Sequence, residues 1–463
     1  MRYEWTDHQL FQHHDRAILF GVDQGSLFFI DEATRELVER LDSRHPLRLE
    51  ELSAADRDIL ESLAEARFLA PLGARHRIEP AIPDVGSIPL TTMVLEVAQE
   101  CNLSCRYCYA EGGTYGKQVR HLSPSLAREA VRQLVAGSGD RETVTLVIFG
   151  GEPLLNMDAV RAAVEEAGTA AVATGKKVFV SLTTNATLLT PEIIDFIHQH
   201  RIAVAVSLDG PADLHDANRP DATGNGSYAR IVPKLGDLLR GATAAVAARV
   251  TLVPEQWSRV EEVFYHLMEL GFHEVGIGPV SPVRPEYLPD TDQEEQLLAG
   301  FAALTTTFVK AARQGRLLPF SNIIDLLARL HLGQTKSVSC GAGIGYLAVD
   351  AEGKYYLCHR LVGEEAFCVG DIAAGHDPEE IRRAIDGVTC GREEMCGQCW
   401  ARTLCAGGCH YENHLRENLL GIPPGSSCSF IRRWFQLGIE AYAELKRGGA
   451  DELLRRLEKR VKC

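Results

Sequence analysis

Short apolar and β-branched runs alternate with amphipathic helical patterns through the middle of the chain. Between residues 91 and 282 these runs predict strands at 93–97, 144–149, 177–182, 203–208, 246–252 and 274–277. Strands that alternate with helices are typical of βα units on a parallel sheet. Six units are too few to close an eight-stranded barrel. The pattern therefore predicts an α/β fold with a partial (β/α)6 TIM-like barrel, whose chemistry lies at the carboxyl ends of its strands.

The first 80 residues follow a different pattern. Residues 17–31 alternate like two strands with a turn at residues 23–25, and helical spacing follows at 33–41 and 53–69. Ser53 and Asp56 form a predicted helix cap. A small sheet followed by short helices predicts a winged-helix-like module over residues 1–80, and the prolines and glycine of 80–90 predict a linker.

Four further parts are predicted after this module. We assign residues 88–310 to the barrel and 311–335 to a helical bridge. A cysteine-rich domain follows at 336–430, and helical spacing predicts closing helices over 431–463.

Composition narrows the class of protein. The chain has 463 residues, of which 45% are hydrophobic and 24% are charged, as in folded globular proteins. The start, MRYEWTDHQL, is polar, and no window approaches the roughly 18 apolar residues of a membrane span. We therefore predict a cytoplasmic protein with no membrane partner. The net charge of −15 gives no field that attracts a phosphate backbone, so no nucleic-acid partner is predicted.

The thirteen cysteines are unevenly distributed. None falls in residues 1–100, and ten fall from Cys340 onward. A secreted disulfide scaffold would spread them more evenly, so they indicate metal or cluster ligands in a reducing compartment.

Cys101, Cys105 and Cys108 form a CxxxCxxC triplet directly after the first barrel strand. Three thiolates on one short loop can hold three irons of a 4Fe–4S cluster and leave the fourth iron open to a cofactor. The alternative is a structural zinc knuckle, although zinc prefers CxxC pairs with four ligands.

The triplet, with Tyr107 before its last cysteine, resembles the radical S-adenosylmethionine (SAM) superfamily. Supporting motifs follow at successive strand ends: FGGEP at 149–153, Thr184-Asn185, and SLDG at 207–210 with Arg219 after it. The resemblance implies a 4Fe–4S cluster that cleaves SAM to a 5′-deoxyadenosyl radical. It also implies that six residues bind SAM, namely Tyr107, Gly150, Gly151, Glu152, Ser207 and Arg219.

Seven cysteines of the carboxyl-terminal block have the spacing of the SPASM domain, an extension found in radical SAM enzymes that modify peptides. The resemblance implies two auxiliary 4Fe–4S clusters, and therefore three clusters in all. One would be held by Cys396, Cys399, Cys405 and Cys428, and the other by Cys340, Cys358 and Cys409. A pair of zinc sites is the structural alternative.

The second auxiliary set has three cysteines where fully ligated members of the family have four. One iron can therefore be open to a peptide cysteine thiolate, the form that binds metal. Alternatively, Cys368, Cys390 or water fills the position. Cys463 is predicted to be a free thiol.

Residues 356–372, with the segments around Cys340 and Cys409, look most like maturases that build thioether crosslinks. Examples are the maturases of cysteine-rich SCIFF peptides and of the quinohaemoprotein amine dehydrogenase small subunit. The resemblance implies a precursor peptide or small subunit as substrate and an electron donor such as flavodoxin or ferredoxin. The amino-terminal block resembles leader-peptide recognition modules, which add the peptide as a strand to a sheet edge; the alternative is a packing domain.

Other functions remain open. Sulfatase maturases place an Asp after the cysteine that matches Cys358, where this chain has His359. Carbon–carbon bond formation is a further possibility, and a cluster-bearing electron carrier or a zinc-scaffolded peptide-binding module is the non-enzyme alternative. No general base can be named, because His359, Asp371 and His410 are notable only for lying near ligands in sequence.

Overall fold

The computed structural model describes residues 2–14, 16–42, 47–48, 52–74, 84–388 and 392–461. Its first part consists of β1 (Arg2–Trp5), β2 (His8–His13), β3 (Arg16–Gly21), β4 (Ser26–Ile30), α1 (Glu32–Leu41), β5 (Leu47–Arg48), α2 (Ala54–Glu65) and β6 (Leu69–Pro71). Two antiparallel sheets have the orders β5-β1-β6 and β2-β3-β4. The expected β3–β4 hairpin and both helices are present, and the Ser53 hydroxyl accepts from Asp56 N as predicted. The assignment of this part as a winged-helix module stays a prediction.

The middle of the chain alternates strands and helices. Its elements are β7 (Thr92–Gln99), β8 (Arg120–His121), α3 (Pro124–Ala136), β9 (Thr143–Gly150), α4 (Met157–Thr174), β10 (Lys177–Thr184), α5 (Pro191–Gln199), β11 (Ala203–Ser207), α6 (Ala212–Asn218), α7 (Tyr228–Arg240), β12 (Val246–Leu252), α8 (Val260–Glu269) and β13 (Glu274–Pro279). All six predicted strands are present, in the parallel order β7-β9-β10-β11-β12-β13. This arrangement is compatible with the predicted partial barrel.

The last part of the chain adds helices and four short strands. Its elements are α9 (Thr291–Arg313), α10 (Ser321–His331), β14 (Tyr346–Val349), β15 (Lys354–Tyr356), β16 (Cys368–Asp371), β17 (Gly375–His376), α11 (Pro378–Asp386), α12 (Arg392–Cys396), α13 (Arg402–Cys405), α14 (His410–Glu417), α15 (Gly425–Arg447) and α16 (Asp451–Val461). β14 pairs in parallel with β7, and β15 to β17 continue antiparallel. The cysteine-rich block therefore extends the barrel sheet, which the sequence pattern did not predict.

The barrel core lies between the sheet and its helices. Along β9, Val144, Leu146 and Ile148 are buried under the helices, while the alternate side chains face the other side of the sheet and are only half-buried. This alternation follows from the two-residue repeat of a strand. Helix α3 begins at the Ser123 cap with proline at its first position, which fixes where the strand-to-helix turn ends.

The amino-terminal sheet β2-β3-β4 packs on the cysteine-rich block. Arg402 Nη2 lies 2.7 Å from Asp23 Oδ1, and the Thr403 hydroxyl donates to Val22 O (2.6 Å). The Phe11 ring meets Trp400 edge-on at 5.0 Å. Arg402 and Thr403 belong to helix α13, which ends at Cys405 and begins three residues after Cys399, so this sheet lies directly beside predicted ligands. Among the helices of the described ranges, none combines the length and apolarity needed to cross a membrane.

Candidate active site

Three thiols lie on the loop that leaves the carboxyl end of β7. Cys101 Sγ accepts from Leu103 N (3.4 Å), and Cys108 Sγ accepts from a backbone amide four residues on (3.4 Å). Cys105 Sγ lies 3.9 Å from Arg219 Nη1. Burial, together with the charges of a nearby carboxylate and the other two thiols, raises the pKa of Cys101 to about 12. The metal-free Cys101 thiol is therefore protonated at neutral pH, and binding a cluster would release its proton.

A cavity of about 540 Å³ opens at this end of the barrel strands. Its volume is in the range of small-molecule sites. The cavity brings together all the predicted catalytic-cluster and SAM residues except one, and those that line it are Cys101, Cys105, Tyr107, Cys108, Gly150, Gly151, Ser207 and Arg219. Residues separated by more than 100 positions in sequence therefore share one site.

Glu152 is the exception, because it lies fully buried below the cavity. Its Oε1 accepts from Thr184 Oγ1 (2.7 Å) and Leu154 N (3.1 Å), and its Oε2 accepts from Asn185 N (2.7 Å). Burial raises the pKa of Glu152 to about 7, although these hydrogen bonds oppose the rise. In the structure Glu152 orients the end of β10, and its contact with SAM stays a prediction.

The glycines at the end of β9, Gly150 and Gly151, allow a close approach of two backbones. A Cβ at Gly150, whose φ is +150°, would lie 2.5 Å from Ala98 O. A Cβ at Gly151 would lie 2.3 Å from Glu100 O. Any side chain at these positions would push the strand end away from the cysteine loop. The glycines are thus needed to hold the cysteine loop against β9.

A buried ion pair forms another wall of the cavity. Arg219 Nε lies 3.0 Å from Asp209 Oδ2, and Nη2 lies 3.1 Å from Oδ1. The Tyr107 hydroxyl donates to Asp209 Oδ2 (2.5 Å), and the guanidinium lies 5.2 Å from the Tyr107 ring centre. Two arms of the guanidinium are thus committed to Asp209, while Nη1 faces Cys105. Sequence reasoning missed Asp209, although an Asp directly after a barrel strand was a usable signal.

The carboxyl-terminal cysteines form two groups in the structure, with the same membership as the predicted sets. Cys396, Cys399, Cys405 and Cys428 interact with one another electrostatically, and burial with the charge of these neighbours raises the pKa of Cys396 to about 11. Their assignment as cluster ligands remains a proposal.

Cys358 is buried beside Cys409 and Cys340. Burial, and the charges of the other two thiols, raise the pKa of Cys358 to about 12. Cys368 lies elsewhere: it packs against a separate small apolar cluster that includes Val94 and Tyr356, whereas Cys358 belongs to the main core. Within the described residues, no fourth cysteine joins this group. Cys390 and Cys463 lie outside the described residues.

The spacing of the sulfurs bears on the choice of metal. Tetrahedral zinc with Zn–S bonds of about 2.3 Å holds its sulfurs only about 3.8 Å apart. In the described part of the chain, no three cysteine sulfurs lie within 4.8 Å of one another, and the ligand atoms that do approach so closely belong to His13, His14 and Glu444. The cysteine groups are therefore wider than a single zinc ion requires.

The three residues considered as bases lie in different settings. His359 is buried, its Nδ1 lies 2.6 Å from the Tyr346 hydroxyl, and burial lowers its pKa to about 4. Asp371 accepts from Ala374 N in an exposed turn. His410 is buried, and its Nδ1 lies 3.1 Å from Leu420 O. None of these three residues is among the described residues that line the cavity.

Comparison with known proteins gives the class of the domain. The model of the radical SAM superfamily matches residues 95–279. A serine-type anaerobic sulfatase-maturating enzyme of Klebsiella pneumoniae is 24% identical over 349 residues, covering 72% of this chain and 83% of the relative. The solved structure of native anSMEcpe with bound AdoMet has a TM-score of 0.66 at 16% identity, covering 78% of this chain and 100% of that one. Streptococcus suis SuiB bound to precursor peptide SuiA has a TM-score of 0.53 at 15% identity, covering 92% and 99%.

These findings agree with the geometry of the site. Residues 95–279 form a radical SAM domain, and the protein is an enzyme. The family implies a 4Fe–4S cluster and SAM. The residues present fit this cluster and SAM. Three thiols lie beside a cavity of suitable volume, and the backbone at Gly150 and Gly151 is packed so closely that no side chain fits there.

Proposed function

We propose that the protein is a radical SAM peptide maturase that joins a cysteine sulfur to a carbon of another residue in a partner peptide. One observation carries the thioether assignment. Among the described residues, the group of Cys340, Cys358 and Cys409 has one cysteine fewer than a fully ligated cluster requires, and it adjoins the wall of the SAM cavity. Arg360 makes the connection, since it lines the cavity and its Nη1 lies 3.5 Å from Cys409 Sγ.

When bound, the cofactors would supply a 5′-deoxyadenosyl radical that removes hydrogen from a substrate carbon, so that R–H, R′–SH and SAM give R–S–R′, 5′-deoxyadenosine, methionine and one proton. The chain itself supplies position and exclusion of water. The Asp209–Arg219 pair and Tyr107 fix one wall of the cavity. Tyr109, Tyr411 and Arg360 close the wall toward the cysteine-rich block. The single electron used to cleave SAM returns when the S–C bond forms, so an acceptor is needed close to the cavity.

Two auxiliary 4Fe–4S clusters, rather than zinc, fit the cysteine-rich block. The sulfurs are spaced more widely than the ligands of one zinc ion. Their separation into a group of four and a group of three also matches a fully ligated cluster and one with an open iron. Together with the loop after β7, this makes three clusters.

A peptide substrate is supported by the amino-terminal sheet and by the relatives. SuiB was solved with its precursor peptide, and sulfatase-maturating enzymes act on proteins, as their names state. In this chain, β4 is an outer strand of the β2-β3-β4 sheet, and Phe28 and Phe29 on it are 42% and 40% exposed. An outer strand with exposed aromatic side chains can accept a leader segment as a further strand. That sheet packs on the cysteine-rich block, so a bound leader lies near the auxiliary groups.

Formylglycine formation is the second candidate function. The observation that favours it is the similarity to sulfatase-maturating enzymes. The observation against it is His359, which stands where those enzymes place an Asp base and does not line the cavity.

The first test measures iron, sulfide and zinc per chain in anaerobically reconstituted protein. We expect about twelve irons with matching sulfide from three clusters. About four irons with two zincs would remove the auxiliary clusters from the proposal.

The second test separates the two chemistries. The enzyme is co-expressed with cysteine-containing precursor peptides, and the product is analysed by mass spectrometry with and without iodoacetamide. A thioether lowers the mass by two hydrogens and removes one alkylation site. Formylglycine made from serine gives the same mass loss, but every thiol remains alkylated and the aldehyde reacts with a hydrazide. The second pattern would replace the thioether proposal.

A further inference from the structure

Arg360 occupies an unusual position between the cavity and Cys409. Its Nη1 donates to Cys409 Sγ (3.5 Å) and to Glu412 Oε1 (3.1 Å), and its Nη2 donates to the Ser281 hydroxyl. Its guanidinium carbon lies 5.0 Å from the ring centre of Tyr109 and 4.6 Å from that of Tyr411. Both terminal nitrogens of this cation are thus engaged, and two aromatic rings pack against its guanidinium.

This arrangement links the two cysteine regions. Tyr109 directly follows Cys108 of the catalytic loop, and the next partner across Arg360 is Cys409. The path from one predicted cluster ligand to the other therefore runs through one ring and one guanidinium. The side chain of Arg360 is only 21% exposed, so solvent screens its charge weakly.

We propose that Arg360 is a positioning residue that raises the reduction potential of the auxiliary cluster at Cys340, Cys358 and Cys409, and that Glu412 limits this rise. The inference rests on the proposed function, since it requires a cluster at that group.

The physical reason is the change in charge on reduction. A cluster gains one negative charge when it accepts an electron, and hydrogen bonds to its sulfurs stabilise that charge. A guanidinium donating to a ligand sulfur therefore favours the reduced state. A higher potential suits an acceptor for the electron that is released when the S–C bond forms.

Glu412 acts in the opposite direction. Its Oε1 accepts from Arg360 and from the Ser281 hydroxyl (2.5 Å), so the carboxylate lies within the same cluster of contacts. Its negative charge offsets part of the guanidinium charge felt at Cys409. Removing one partner or the other should therefore move the potential in opposite directions.

The test is a redox titration followed by EPR. It uses cluster-loaded full-length protein carrying Cys101→Ala, Cys105→Ala and Cys108→Ala, so that only auxiliary clusters contribute. Arg360→Gln should lower the reduction potential of one cluster by about 59 mV, which corresponds to a tenfold change in the equilibrium constant of a one-electron reduction. The potential in Arg360→Lys should lie between those in Arg360→Gln and in the parent protein. Glu412→Gln should raise the potential above that of the parent.

Two controls make the result specific. The cluster at Cys396, Cys399, Cys405 and Cys428 should keep its potential in every variant. Arg382→Gln, on the exposed face of α11, should change neither potential. Iron per chain is measured in parallel, because a merely structural role would lower iron content or move both partner variants in the same direction.

The outcomes separate this inference from the proposed function. Unmoved potentials with full iron content, or shifts of equal sign in Arg360→Gln and Glu412→Gln, overturn the role of Arg360 alone. Zinc in place of the cluster overturns both. Opposite shifts support the role of Arg360, and if the enzyme with Cys101, Cys105 and Cys108 intact then forms no thioether in the co-expression test, the thioether chemistry alone is overturned.

Discussion

The cysteine loop after β7 and the cysteine-rich block that begins before β14 assemble their thiols in contrasting ways. The loop places three thiols within eight residues at the end of one buried strand. The block spreads its seven predicted ligands over residues 340–428, on turns and helices that meet only in the folded protein. Sequence proximity alone brings the three thiols of the loop together, although backbone hydrogen bonds from Ser104 to Pro220 and from Arg106 to Asn218 also hold the loop in place. The block depends entirely on packing between distant segments.

The two regions also treat charge differently. At the loop, the charges are buried and paired within the barrel, with Asp209 and Arg219 as the main pair. At the block, Arg360 is held by aromatic rings and faces the cavity. Both guanidinium groups line the cavity, but the side chains of Arg219 and Asp209 are 9% and 0% exposed, whereas those of Arg360 and Glu412 are 21% and 26% exposed.

Replacing Cys101, Cys105 and Cys108 together with Ala should have the largest effect on this comparison. We expect 5′-deoxyadenosine formation to fall to background, because no catalytic cluster can form, while about eight irons per chain remain. Product is measured by chromatography and iron by elemental analysis. If SAM cleavage persisted, the loop would not be the catalytic site.

Replacing Cys340, Cys358 and Cys409 together with Ala tests the independence of the block. We expect about four irons to be lost and crosslinked peptide to disappear. SAM cleavage should continue, because none of these three cysteines belongs to the loop after β7 or lines the cavity. A parallel loss of cleavage would show that the two regions are one functional unit.

Asp209→Asn breaks the buried pair beside the loop. The Arg219 guanidinium would remain buried without its counter-charge, which costs about 3–5 kcal/mol of the free energy of unfolding. The double variant Asp209→Asn with Arg219→Gln should lose less. Glu379→Gln, in the exposed pair with Arg382, is the matched control and should change stability by about 0–1 kcal/mol. Chemical denaturation of the cluster-loaded proteins measures the free energy of unfolding of all three variants. An equal loss in Asp209→Asn and in Glu379→Gln would contradict a buried pair.

Glu96→Gln should have a smaller, pH-dependent effect. Burial, with the nearby charge of Asp350, raises the pKa of Glu96 to about 8 against the hydrogen bond from Tyr115. Below about pH 4.5 this carboxyl is protonated in both the folded and the unfolded chain, so its contribution to stability is fully present. As the pH rises from there to about 8, the unfolded chain releases the proton first, and the free energy of unfolding falls by about 1.4 kcal/mol for each pH step of one. The variant stays neutral, so its Tm should fall less than that of the parent between pH 5 and 8. Parallel Tm curves would show that Glu96 is ionised in the folded protein.

Much of the fold was predictable because the barrel strands carry their own signal. The runs at 144–149 and 246–252 contain several β-branched residues and lie between helical patterns, and the strands are found within two residues of their predicted ends. β14 to β17 were missed since they have two to four residues each and include glycines and a cysteine. Their pairing is decided by the free edge of β7, which lies some 250 residues away in the chain.

The chain by itself determined where the candidate ligands stand, because the CxxxCxxC spacing and the order of the seven later cysteines are patterns that the residues carry without any fold. Their role as ligands stays a prediction. Only the tertiary structure decided which side chains surround the candidate ligands and what contacts they make. It buried Glu152 beneath the cavity, paired Arg219 with Asp209, and brought Arg360 against Cys409 and two tyrosines. The physical reason is that hydrogen bonds and charge interactions depend on distances of a few ångströms between segments far apart in sequence, and such distances exist only once the core has packed.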